Sequence, residues 1–182
     1  MGKYYFLEKY RFANMEEAES ALSEDFPHFF IRKDAESVEK GVADIAEQLN
    51  IELPQEIVEF WKTVGPGQFF CEPPDEYAGR YHIMAPGEVL GVYIPEMDKN
   101  HAYNTIRADA KRFLDKYKLL AFCEFDEYSA LYISLQSDDH GYHPIFSAPT
   151  LKIANSLEMF VLKLLEEPDY FLDDENDDEG EE

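Results

Sequence analysis

This sequence has few of the residues that cross-link or hold polyanions, and no long apolar run of the kind that enters a membrane. Only two cysteines, Cys71 and Cys123, occur in 182 residues, too few and too far apart for a secreted disulfide framework or a zinc motif. Each has aromatic neighbours and reads as a buried thiol. No apolar run approaches the 18 residues that suggest a membrane span. The start, MGKYYFLEKYRF, carries neither an apolar leader core with a cleavage site nor the downstream Ser or Thr of a myristoylation signal, since position six is Phe6. A soluble, cytosolic protein is expected. Basic residues are scarce too, 16 Lys and Arg against 39 Asp and Glu, a formal charge of −23. Such a surface repels nucleic acid and lipid headgroups and attracts basic partners. There is no nucleophile elbow, phosphate-binding loop, dinucleotide fingerprint, metalloprotease motif or internal repeat.

What is present is a core. The chain is 45% hydrophobic and 15% aromatic, which suits one folded domain rather than a disordered chain. The acidity is uneven: Glu166 to Glu182 holds eleven acidic residues and no basic one, leaving a net of −12 over residues 1–165. From Asp173 the tail contains no apolar residue and is expected to be solvated and disordered.

The clearest local signal is LPQEIVEFWKTVGPGQFF, from Leu53 to Phe70. Pro54 suits the first turn of a helix. Ile57, Val58, Phe60, Trp61 and Val64 recur at helical spacing, with the only tryptophan at the centre of that face. Gly65 stands where a left-handed cap would end the helix, and Pro66 forbids continuation. Ahead of it, Val38, Val42, Ile45, Ala46 and Leu49 mark another amphipathic helix, ended by Asn50. Residues 1–33 read as a strand over KYYFLEKYRF, a short helix after Asn14, and an extended PHFFI.

Beyond Phe70, CEPPDEYAGR is a polar loop, and RYHIMAPGEVLGVY is strand, turn and short helix. A third helix over AYNTIRADAKRFLDKY puts Ala102, Ile106, Ala110, Phe113, Leu114 and Tyr117 inward. Arg107, Lys111, Arg112 and Lys116 fall on the opposite, solvated side. KLLAFCEF and ALYISL, separated by Asp126 to Ser129, predict a hairpin, and PIFSA extends it to a three-stranded antiparallel meander. A last helix is predicted to be capped by Asn155 with Glu158 reaching back, burying Leu157, Phe160, Val161, Leu164 and Leu165.

Three groups carry residue types associated with chemistry, and each has a simpler reading. Asp138, Asp139, His140 and His143 match no metal-ligand spacing and suit a turn between strands. Cys123 alternates with Phe122 and Phe125 inside a central strand, where a thiol is buried and inert. Glu124, Asp126 and Glu127 read as a solvated hairpin turn. No enzyme is expected, and no cofactor or metal.

The order of these segments resembles the SUKH superfamily, the Smi/Knr-type domain. The residues that carry the likeness are LPQEIVEFWKTVGPGQFF, IMAPGEVLGVY, LLAFCEFDEYSALYISL with HPIFSAP, and NSLEMFVLKLL. The resemblance implies an α+β fold, a central antiparallel sheet flanked by helices, as one domain over residues 37–168. Residues 1–36 would then be an N-terminal extension and 169–182 an acidic tail. Many bacterial members look like immunity proteins that bind and neutralise a toxin, often a nuclease; eukaryotic relatives look like scaffolds in cell-wall regulation. A basic nuclease domain as partner agrees with the charge, because an acidic inhibitor is steered onto a phosphate-binding cleft. Asp75, Glu76 and Tyr77 in the Pro-rich loop, with Asp126, Glu127 and Tyr128 on the hairpin, pair exposed acids with aromatic rings and are the expected partner-binding residues.

Overall fold

Trp61 is fully buried, and its indole N–H donates to the Met84 carbonyl at 2.8 Å. That bond ties a helix to the corner between a strand and the next helix. The computed structural model describes residues 3–23, 25–71, 79–98, 102–125 and 129–172. Within them, eight strands form one sheet: β1 (Arg11–Phe12), β2 (Phe29–Ile31), β3 (Gly67–Cys71), β4 (Gly79–Ile83), β5 (Leu119–Phe125), β6 (Ser129–Ser134), β7 (Ile145–Ala148) and β8 (Leu151–Ala154). Their spatial order follows the chain, and every neighbouring pair is antiparallel except β1 with β2. Six helices fill the connections and the end: α1 (Met15–Ala21), α2 (Ala35–Leu49), α3 (Gln55–Thr63), α4 (Pro86–Tyr93), α5 (Arg107–Tyr117) and α6 (Leu157–Glu166). The α+β expectation holds.

Local chemistry explains most element ends. The Asp34 side chain accepts the Ser37 N–H at 2.8 Å and caps α2, while Asn50, at φ 52, ends it in the left-handed conformation. Ile57, Phe60 and Trp61 of α3 are fully buried, and Gly65 has φ 103. The α6 cap differs from the expected one. Ser156, one residue beyond Asn155, accepts the Met159 N–H at 3.1 Å, and the buried Glu56 of α3 accepts the Leu157 N–H at 2.8 Å. A carboxylate from another helix therefore satisfies the α6 N-terminus, in place of Glu158 reaching back from within it.

Three other elements differ from expectation. Tyr5–Tyr10 is a 3-10 helix, with only Arg11–Phe12 extended. Tyr4, Leu7 and Tyr10 are spaced by three and are all buried, the period of a 3-10 helix rather than the alternation of a half-buried strand. The meander gains a fourth strand, because β8 pairs with β7 and buries Ile153 and Ala154. The third helix begins at Arg107, since the Asp98 carboxylate takes up the Ala102 and Tyr103 N–H groups at 3.0 and 3.1 Å. Ala102 and Tyr117 are exposed, so the inward face is Ile106, Ala110, Phe113 and Leu114. Arg107 is not solvated either. Its guanidinium donates to the Gly91 and Val92 carbonyls at 3.1 Å each and to Asp98 at 2.7 Å, closing the C-terminal end of α4.

The segment around β3 holds a strained backbone and a neutral histidine. Phe70 has φ 57, unusual for a bulky residue and costing about 1–3 kcal/mol. Its N–H donates to His28 Nδ1 at 3.1 Å, so the imidazole must be unprotonated at that atom. Burial pushes the His28 pKa down to about 4, with Lys9 adding to the effect and the Pro27 backbone opposing it. Because the folded value lies below the unfolded one, the unfolded chain binds the extra proton, and stability falls as pH drops from 6.5 towards 4. We expect about 2 kcal/mol of loss over that window, less than the full shift implies because the folded ring is itself about half protonated by pH 4. Urea unfolding at pH 7 and pH 4.5 measures it, and His28→Gln should remove that share of the slope. An unchanged slope in the variant would rule out His28 as its source.

Candidate interaction site

Strand register places the ends of four strands together. Cys71 pairs with Gly79, Tyr81 with Phe125, and Phe125 with Ser129. The chain after α6 returns to this end of the sheet. Phe171 packs edge-on against the Tyr81 and Phe125 rings, the Tyr81 hydroxyl donates to the Pro168 carbonyl, and Arg80 pairs with Asp169. The described residues that bound three sequence segments, 72–78, 126–128 and 173–182, therefore lie side by side. Those segments contain thirteen Asp and Glu and no Lys or Arg. Asp75, Glu76, Tyr77, Asp126, Glu127 and Tyr128 fall within them and lie outside the described residues.

Glu124 corrects the hairpin reading. It is not part of a solvated turn but a residue of β5, half-buried and in register with His82 of β4, which is itself in register with Gln68 of β3. The three form a polar row across the middle of the sheet. Above it, both oxygens of the Glu88 carboxylate lie 3.1 Å from His82 Nε2, and one accepts the Ala85 N–H at 2.6 Å. That second bond is half of a capping box; Ala85, having no side-chain oxygen, cannot supply the other. The Tyr103 side chain completes the group, its hydroxyl held neutral by burial and by the Glu88 charge.

The charges in this row shift one another. Burial disfavours the imidazolium of His82, but the hydrogen bond and charge of Glu88, with Glu124 behind, outweigh it and raise the pKa. Burial also opposes ionisation of Glu88, and the hydrogen bond and charge of His82, with the Ala85 N–H, overcome it, so its pKa is lowered. Glu124 has no such help: burial raises its pKa, Glu88 and Asp98 add to that, and only His82 pulls the other way. The row borders a hollow of about 370 Å³ lined by Met15, Phe29, Ile31, Pro66, His82 and Glu88, with Lys33 also in its wall. Sequence reading missed this group because its members come from separate elements; the only local trace is Glu88 three residues after Ala85.

The other candidates are structural. Asp138 accepts the His140 and Tyr142 N–H groups at 2.9 and 3.0 Å, and Gly141 has φ 81, so that carboxylate shapes a turn. Cys123 is fully buried and its thiol pKa is pushed well up by burial, the opposite of an activated nucleophile. No helix among the described residues is long and apolar enough to cross a membrane.

Compared with known proteins, residues 39–163 match the family model described as the SMI1 / KNR4 family (SUKH-1). No curated protein and no solved structure matches the chain.

Proposed function

Since the chain belongs to the SMI1/KNR4 family (SUKH-1), we propose that it is an immunity protein, a non-catalytic antitoxin that binds and neutralises a toxin with a basic, nuclease-like domain. The observation that carries this reading is the charge distribution. The chain has a net charge of −23, and the strand ends that bound its most acidic segments are gathered at one end of the sheet. A concentration of one sign accelerates encounter with a partner of the other and repels polyanionic competitors. Asp75, Glu76, Asp126 and Glu127 supply the field in this reading, and Tyr77 and Tyr128 supply rigid amphipathic contact area.

Affinity capture from the source cells should recover a basic toxin domain in a stoichiometric complex in which the toxin is inactive. Stopped-flow association of the recombinant pair should slow about tenfold or more between low and high salt. Neutralising Asp75, Glu76, Asp126 and Glu127 to their amides should slow association with little change in dissociation or urea midpoint. Several unrelated partners bound without inhibition would replace this reading with that of an interaction scaffold. A salt-independent rate would sink the electrostatic argument.

A further inference from the structure

The junction between β4 and α4 has one adjustable contact. Only Met84 and Ala85 connect the two elements, and Met84 is fastened twice: its N–H donates to the Phe122 carbonyl at 2.9 Å and its carbonyl accepts the Trp61 indole N–H. Ala85 is held by a side chain, the Glu88 carboxylate, which is shared with His82. We propose that His82 and Glu88 form a proton-operated latch on the entry to α4, closed while the imidazole is protonated and released when it is not.

The groups around His82 explain both states. Glu88 faces it from α4, Glu124 from β5, and Gln68 with the Gly67 carbonyl from β3. Tyr103 adjoins Glu88 from the turn before α5. Asp98, which also acts on Glu124, is neutralised by Arg107. Lys33 also lines the hollow. With the ring protonated, the positive charge balances Glu88, while the buried Nδ1 makes no hydrogen bond and has only the electrostatic attraction of the Gly67 carbonyl. With the ring neutral, Glu88 is left beside Glu124 with no counter-charge between them, and as Glu124 ionises the two repel in a half-buried site, where repulsion is stronger than in water. The Glu88 side chain is 38% exposed and borders the hollow, so it gains hydration by swinging outward. Ala85 then loses its acceptor, and the first turn of α4 loosens along one wall of the hollow.

The direction in pH follows from His82. Its folded value is raised, so the latch is fully engaged below the ordinary value of 6.5 and is lost as pH rises through the higher, folded value. Glu88, with a lowered value, stays ionised throughout that window.

NMR of the full-length protein tests this. The His82 ring should titrate with a midpoint above 6.5. After correction for intrinsic exchange, the Ala85 amide should exchange several-fold faster above that midpoint than below it. In His82→Gln the Ala85 amide should exchange at the faster rate at every pH. Glu124→Gln keeps the latch pair but removes the repulsion; it should lower the His82 midpoint and reduce the high-pH acceleration, a readout that does not depend on the first variant folding. A wild-type midpoint at or below 6.5, or Ala85 exchange that does not follow it, would overturn the latch.

Discussion

Trp61→Ala is expected to destabilise the protein by about 3 to 5 kcal/mol, a large share of the stability of a domain this size. Two losses combine. The indole is fully exposed to the core and not at all to solvent, packed among the largest buried side chains, so its removal leaves a cavity that α3 and the sheet cannot close without breaking their own contacts. It also strips the Met84 carbonyl of its donor at the β4–α4 corner. Trp61→Phe separates the two, since it keeps most of the volume and loses only the N–H; it should cost roughly 1 to 3 kcal/mol. Urea unfolding followed by circular dichroism measures both. A Trp61→Ala protein that kept its midpoint but lost a bound partner would move Trp61 from the core to an interface and contradict its burial.

Gly65→Ala and Gly67→Ala should each cost about 2 to 5 kcal/mol, through steric conflict rather than lost contacts. At Gly65 the backbone is left-handed, and a Cβ would sit well inside van der Waals distance of the Ile31 carbonyl oxygen. At Gly67 a Cβ would collide with the Phe29 carbonyl and lie 2.6 Å from the Phe30 Cα. Neither neighbour is a flexible side-chain end, so relief means pushing β2 off β3 and breaking the Ile31 N–H to Pro66 carbonyl bond of 2.8 Å. Gly87→Ala is the matched control. It lies in the first turn of α4 with nothing near the added methyl, and should be neutral or stabilising by up to about 1 kcal/mol. Equal midpoints for Gly67→Ala and Gly87→Ala would show that β2 is not held against β3 as described.

Legibility in the sequence followed the range of the interaction. Gly65 illustrates the boundary: it was readable as a helix terminator, because helix, glycine and proline are neighbours in the chain. Its second role, admitting the β2 backbone, involves Ile31, more than thirty residues away. Arg107 was placed on a solvated face by helical periodicity alone, yet the Asp98 carboxylate and two α4 carbonyls claim it. Glu124 was grouped with Asp126 and Glu127 by adjacency, whereas strand register turns it towards His82.

By itself the sequence determined the α+β class, the buried faces of α2, α3 and α6, the end of α2 at Asn50, the family likeness and the uneven charge. Each of these is written in local periodicity, in the φ preferences of Gly, Pro and Asn, or in a simple sum of charges. Only the tertiary structure decided that Glu56 caps α6, that β2 closes on Gly65 and Gly67, and that Gln68, His82, Glu88 and Glu124 converge beside one hollow. The physical reason is that a polar group takes whatever partner strand register and helix packing bring within about 3 Å. That choice is made between elements distant in the chain, where neither propensity nor spacing carries a signal.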